Sequence, residues 1–212
     1  METSYLSPHL KKIRFQGDIS SWNFQIGYAS VIRVSETEFR NYTIAYHDTD
    51  NGFFDIVFHI HGNGIGSEFV DLLKTDDELF ISQPRGKRFY ESPIKRQCII
   101  GDETSLGLAC SFLPLLKQGL HQFQFIFELD EAHKNVPHLL GLENCLVVSK
   151  KTFRDEKWIL DLLPVDVADL QNTCFVLTGN VRSVQAFRKV LKDNTTVKIF
   201  SQGYWLEGKK GL

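Results

Sequence analysis

The sequence predicts an antiparallel β-barrel followed by a doubly wound α/β domain with a parallel sheet. Two observations carry this. Up to about residue 90 the apolar period is two: Phe54, Ile56, Phe58 and Ile60 alternate with Asp55, Val57, His59 and His61, as in a strand with one buried face. After residue 95, short apolar runs alternate with helical stretches, the order that builds a parallel sheet covered by helices. Between them, Arg85, Lys87, Arg88, Lys95 and Arg96 cluster around two prolines and a glycine. The expected division is residues 1–92 and 93–212.

In the first part, residues 31–34 and 43–46 read as extended. Asp48-Thr49-Asp50-Asn51-Gly52 reads as a turn between strands, because Asn-Gly accepts a positive φ. Short strands with frequent turns point to a small barrel. In the second part, residues 97–100 form an apolar strand that stops at Gly101. A helix follows, with Leu106, Ala109, Cys110 and Leu113 on one face. Residues 123–127 and 145–148 are the next strands, and residues 152–163 read as a helix carrying Trp158 and Leu162. Residues 174–177 are a strand ending in Thr178-Gly179-Asn180. Its helix has Val184, Phe187 and Leu191 on one face and Arg182, Arg188, Lys189 and Lys192 off it, and residues 196–200 are the last strand. Ligands of such sheets sit at the carboxyl ends of the strands.

Composition excludes several classes. With 212 residues, 42% hydrophobic and including 17 Phe, the chain has a real core and is not disordered. The net charge of −2 gives no general pull toward nucleic acid or an anionic membrane. The longest apolar stretch, residues 107–116, is about half the ~20 residues that a membrane span requires. The opening Met1-Glu2-Thr3 shows no apolar signal core. Cys98, Cys110, Cys145 and Cys174 are far apart and each lies in an apolar run, so they read as buried thiols of a reducing, cytoplasmic setting.

Four segments bear chemistry. Arg40-Asn41-Tyr42-Thr43 enters a strand. An Arg beside an aromatic and a hydroxyl on one extended segment can serve a flavin, the guanidinium holding a phosphate, the ring packing on the isoalloxazine and the hydroxyl reaching a ring nitrogen; an ordinary edge strand reads the same way. His61-Gly62-Asn63-Gly64-Ile65-Gly66-Ser67 runs from a strand through glycines into a short helix. It is either a pyrophosphate cradle or a glycine-rich turn, with Ser67 as phosphate donor or helix cap. His59 and His61 share a strand face, but no third ligand has matching spacing, so no metal site is expected. Gly101-Asp102-Glu103-Thr104-Ser105 sits at a strand-to-helix junction with Asp102 as a natural N-cap. Its two carboxylates oppose phosphate, and G-x-G-x-x-G is absent. Gly203-Tyr204-Trp205 near the end places two aromatic rings that either cover a ligand or pin the last strand.

Together and in this order, these motifs resemble the siderophore-interacting protein family of the ferredoxin–NADP reductase superfamily. Arg40-x-Tyr42-Thr43 is similar to the R-x-Y-[ST] flavin motif, and the strand ending His61-Gly62, then Gly64-x-x-Ser67, to the HG turn and phosphate-binding helix start. Pro84-Arg85-Gly86 resembles the barrel-closing PRG, Gly101 to Leu106 the G-D-E-T-[AS]-L motif, and Gly203-Tyr204-Trp205-x-x-Gly208 the terminal G-Y-W-x-x-G. Two positions depart from the pattern: Asn180 stands where the family shows an acid, and Leu206 where a basic residue is common.

The resemblance implies an FAD-binding barrel, a NAD(P)H-binding α/β domain and reduction of ferric siderophores. NADPH or NADH, or a ferredoxin, is the implied electron donor. The implied cofactor-binding residues are Arg40, Tyr42, Thr43, His61, Gly62, Gly64, Gly66, Ser67, Asp102, Thr104, Ser105, Tyr204 and Trp205. Lys209 and Lys210 are the implied contacts of an anionic siderophore, and no catalytic side chain is required because the flavin carries the chemistry. Two alternatives stay open: a general flavin or ferric reductase, and a non-catalytic flavin- or siderophore-binding module.

Overall fold

The computed structural model describes residues 2–62, 64–163 and 167–209. The chain divides into two compact units. One runs up to Tyr90 and includes Leu106–Phe112; the other holds Glu91–Ser105 and the residues from Leu113 onward.

The first unit is a six-stranded antiparallel sheet of β1 (Glu2–Ser7), β2 (Leu10–Gln16), β3 (Tyr28–Arg33), β4 (Phe39–Asp48), β5 (Phe53–His59) and β6 (Arg85–Gly86). The strand order is β1-β2-β5-β4-β3-β6, and helix α1 (Ile65–Leu72) follows β5. Its core gathers Ile13, Phe15, Ile32, Ile44, Phe54, Ile56 and Phe58 against Val70 and Leu73. Phe15 stacks on Phe54 with ring centroids 5.3 Å apart. Each such side chain contributes about 1.5–3 kcal/mol of burial. The β4–β5 turn forms as its sequence requires: Asp48 accepts from the Asn51 amide at 3.0 Å and Gly52 takes φ +68°.

Two features of this unit differ from the sequence reading. Strands β1 and β2 occupy a stretch whose charged residues mask the alternation, because Lys11 is only 2% exposed. Strand β5 is covered on both faces rather than one. Asp55 is buried under Arg14, which bonds it through two nitrogens at 2.7 and 2.9 Å. Val57 is buried beside Gly107, at which an added Cβ would stand 4.0 Å from the Val57 Cβ.

The second unit has strands β7 (Arg96–Gly101), β8 (Gln122–Glu128), β9 (Cys145–Val148), β10 (Thr173–Asn180) and β11 (Lys198–Trp205). Its helical segments are the rest of α2 (Leu106–Gln118), α3 (Val136–Leu139), α4 (Glu156–Leu162), α5 (Val167–Gln171) and α6 (Val181–Asn194). All five strands are parallel, in the order β11-β10-β7-β8-β9. Counted within the unit, that is the doubly wound order 3-2-1-4-5, whose direction of winding reverses between β7 and β10. Strand β10 is buried along all eight residues, as a central parallel strand must be. Val184, Phe187 and Leu191 of α6 pack with Ile100, Phe175 and Leu177 of the sheet, the face the sequence predicts.

Three local readings are corrected. The stretch 152–163 is not one helix: a 3₁₀ turn, Thr152–Arg154, precedes α4, and Asp155 starts α4 by accepting from the Trp158 amide at 3.1 Å. Strand β11 continues through Trp205, so the tail aromatics belong to the sheet. Of the four free thiols only Cys98 and Cys174 are buried, and Cys110 and Cys145 are half-buried. Desolvation raises the Cys98 and Cys174 thiols to about 12.

Candidate functional site

At the carboxyl end of β5 the chain makes a glycine turn. Gly62 takes φ +84°, where side-chain-bearing residues are strained, and α1 begins at Ile65. Ser67 Oγ accepts from the His61 amide at 3.2 Å and so ties the two ends of the turn together. The first amides of α1 have no acceptor within their own helix, which makes its N-terminus a natural anion-binding end.

Strand β4 supplies the rest of this cradle. Arg40 and Tyr42 lie two residues apart on one strand face. A Cβ placed on Gly66 would meet Tyr42 Oη at 2.9 Å, Arg40 Cγ at 3.2 Å and Arg40 Nε at 3.8 Å. Glycine at 66 is therefore what lets the guanidinium and the phenol approach the first turn of α1. The Tyr42 ring meets Phe58 edge-on, with centroids 4.7 Å apart. Burial raises its phenol to about 12, so it is neutral at physiological pH. Arg40 Nη1 donates to the Phe39 carbonyl at 2.9 Å, and Nη2 pairs with Glu38. Thr43 falls on the opposite face of β4, where its carbonyl would stand 3.3 Å from a Cβ on Gly107. His61 is exposed, its ring centroid 5.7 Å from that of His59. Gly64 is half-buried, and a Cβ there would meet Ser67 Oγ at 3.9 Å.

Sequence reasoning missed the residue that anchors α1 from its other end. Lys11 Nζ donates to the carbonyls of Val70, Asp71 and Leu73 at 2.9, 3.0 and 3.0 Å. These are the carbonyls a helix C-terminus leaves without partners, and the ammonium also opposes the negative end of the dipole. Burial lowers the Lys11 pKa, which the nearby Asp71 partly offsets.

In the second unit the winding reversal brings the ends of β7 and β10 together. Asp102 is 3% exposed and all its bonds are internal. One carboxylate oxygen accepts from the Thr104 amide and hydroxyl at 2.9 and 2.5 Å. The other accepts from the Asn180 amide and the Trp205 indole, both at 2.7 Å. Gly179, at φ +103°, passes so close that a Cβ there would stand 2.6 Å from this carboxylate. Ser105 is buried and accepts from Thr178 Oγ1 at 2.8 Å. Glu103, also buried, pairs with Lys150 and accepts from the Asp130 amide at 2.8 Å. The two acids that oppose phosphate in sequence are thus turned inward and compensated. His133 and Asp130 bring ligand atoms within 4.8 Å of Glu103, but both Glu103 oxygens are already engaged.

Asn180, the residue that departs from the family pattern, caps α6. Its side-chain oxygen accepts from the amides of Arg182 and Ser183 at 2.9 and 3.3 Å and from Arg154 at 3.2 Å. Arg154 also binds Glu207 at 2.9 Å, with Arg182 at 3.5 Å. Arg154 chiefly, with a contribution from Asn180, holds the Glu207 carboxyl below its ordinary range. Tyr204 is half-buried in β11 and Lys209 is exposed, while Lys210 lies outside the described residues.

An antiparallel sheet carrying a phosphate-type cradle, with a parallel 3-2-1-4-5 sheet, is the ferredoxin reductase-like architecture. Solved structures bear this out at the level of fold. A siderophore utilization protein from T. fusca aligns with a TM-score of 0.79 at 17% identity, covering 100% of this chain and 92% of that one. The siderophore-interacting protein SipS from Aeromonas hydrophila gives 0.75 at 17% identity over 97% and 95%. A ferredoxin-NADP+ reductase mutant from Plasmodium falciparum gives 0.73 at 13% identity over 95% and 93%. More particularly, residues 21–88 match the siderophore-interacting FAD-binding domain, the segment that holds Arg40, Tyr42, Gly66 and Ser67. No curated protein matches the sequence. The domain match supports FAD binding by residues 21–88, and the solved structures support the fold of both units. Among the described residues, no helix is long and apolar enough to cross a membrane.

Proposed function

We propose that this chain is a cytoplasmic, FAD-containing reductase of ferric siderophores, with NADPH or NADH as electron donor. The observation that carries the reading is the convergence of Arg40, Tyr42 and Gly66 on the first turn of α1, inside the segment matching the siderophore-interacting FAD-binding domain. The residues fit a phosphate-bearing group: a guanidinium, a helix N-terminus and a glycine that removes the intervening Cβ. Arg40 and the α1 amides hold phosphate oxygens. Tyr42, neutral and rigidly packed on Phe58, presents an aromatic surface to a ring system. FAD, when bound, supplies the redox chemistry, and no side-chain proton transfer is required of the protein.

Within the second unit, Thr104 at the winding reversal and the aromatic residues Tyr204 and Trp205 are the proposed donor contacts, while buried Ser105 supports the turn through Thr178; a ferredoxin is the other donor class. Ferric iron is substrate. Hard anionic chelators hold reduced iron more weakly, so reduction releases it. Lys209 and Lys210 are the proposed contacts of the anionic chelate.

A second reading, a ferric reductase indifferent to the chelate, is favoured by one observation: Arg154 and Arg182 near the tail are already paired with Glu207. The test begins with the visible spectrum of the purified chain reconstituted with FAD, followed by anaerobic NADPH or NADH. Flavin bands that bleach support the reductase, and a chain that takes up no flavin refutes it. Turnover on ferric siderophores well above that on ferric citrate separates the first reading from the second.

A further inference from the structure

We propose that Glu38 sets the flavin choice of this site: its carboxylate, held on Arg40, disfavours a terminal phosphate dianion such as that of FMN relative to the diphosphate diester of FAD. The inference rests on the flavin reading above and concerns which flavin that site accepts.

Glu38 is fixed by its backbone. The β3–β4 hairpin is closed by the Val34 amide donating to the Glu38 carbonyl at 2.9 Å. Ser35 Oγ accepts from the amides of Glu38 and Thr37 at 3.0 and 3.3 Å. Arg33 adds donations to the carbonyls of Ser35 and Glu36 at 3.0 and 2.8 Å. The turn therefore fixes the backbone of Glu38 two residues before Arg40, and its carboxylate pairs with the Arg40 guanidinium.

The pairing changes what Arg40 offers. Nη1 serves the Phe39 carbonyl and Nη2 serves Glu38. Nε lies on the side of the α1 first turn, 3.8 Å from where a Cβ on Gly66 would stand. A phosphate shared between α1 and Arg40 thus meets a guanidinium whose positive charge is partly neutralised and whose near neighbour is an anion. A phosphate monoester carries a charge of about −1.5 to −2 near neutral pH. Each phosphate of a diphosphate diester carries about −1. The monoester also gains most from a bidentate grip, which is lost because Nη1 is held by the Phe39 carbonyl and Nη2 by Glu38. One extra unit of charge several ångströms from a half-exposed carboxylate changes affinity by about three- to tenfold.

The test is a pair of fluorescence titrations, FAD and FMN, on the full-length apoprotein and on its Glu38→Gln and Glu38→Ala variants, with folding checked by circular dichroism. Glu38→Gln keeps an acceptor for Arg40 and removes only the charge. It is expected to tighten FMN about three- to tenfold while changing FAD less than twofold, with the difference shrinking at high salt. Glu38→Ala is expected to shift the FMN-to-FAD ratio the same way. A ratio unchanged in Glu38→Gln, whether or not Glu38→Ala alters it, overturns the proposal, since Glu38 then acts by position or not at all. Wild-type protein that binds neither flavin fails differently: it removes the flavin reading and this inference with it.

Discussion

Each unit ends a strand in a glycine-containing turn that runs into a helix, yet the two turns treat their amides in opposite ways. After β5, the turn at Gly62 leads into α1, whose first turn lies beside Arg40, a cation, at Gly66. After β7 and β10, the amides of Thr104 and Asn180 go to Asp102, and those of Arg182 and Ser183 go to Asn180. The backbone geometry favours an anion in both places. In the first it is paired with a positive side chain; in the second the protein supplies its own carboxylate. Anion-friendly backbone is therefore not by itself a phosphate site, and the charge of the neighbouring side chains decides.

The sharpest way to break this comparison is Asp102→Ala. It orphans two amides and the Trp205 indole inside the second unit and is expected to cost about 3 kcal/mol in urea unfolding, with altered Trp fluorescence. Affinity for FAD in the first unit should stay within a factor of two. Stability close to wild type would mean that the internal anion is dispensable.

Next in size, Lys11→Met leaves three carbonyls at the end of α1 without their donor and should cost about 2 kcal/mol by the same measurement. Gly66→Ala has opposing terms. Alanine favours a helix over glycine by about 1 kcal/mol, but the new methyl collides with Tyr42 and Arg40. FAD affinity should fall about tenfold, with stability changed by about 1 kcal/mol or less. A stabilised variant with unchanged affinity would show that the Arg40–Tyr42 approach is not what binds.

The smallest effect concerns Glu128, buried at the end of β8, where it accepts from the Phe153 amide and Ser183 at 3.0 Å each. Desolvation outweighs these bonds and raises its pKa above the ordinary 4.5. The native state therefore keeps this proton to higher pH than the unfolded chain. Its contribution is fully present below pH 4.5 and is lost as pH rises through the folded value. Glu128→Gln should flatten the fall in stability across that window, as read by urea unfolding at a series of pH values.

Much of this was legible in sequence because it is local. The strand at Phe53–His59, though not its second buried face, the Asn51-Gly52 turn and the face of α6 depend on neighbours within a few residues. The Arg40–Tyr42 spacing on one strand face was equally readable. What was hidden depends on distant partners. Asp102 meets Asn180 and Trp205 across 78 and 103 residues, so no local pattern tells a compensated acid from one that repels phosphate. Lys11 looks like a solvated strand residue until the end of α1 is seen above it, and charged neighbours conceal β1 and β2. The Glu38–Arg40 pair was missed because it comes from a hairpin geometry that spacing does not reveal.

The thiols of Cys98 and Cys174 have a practical meaning. They lie on adjacent central strands, in register with Phe175 and Gln97 respectively, and their pKa values of about 12 leave almost no nucleophilic sulfur while the sheet is closed. Cys174 is fully buried, so an alkylating reagent reaches it only when its surroundings open. The rate of its modification is thus a built-in clock for the opening of the second unit, readable by peptide mass mapping, which separates it from the half-buried Cys110 and Cys145.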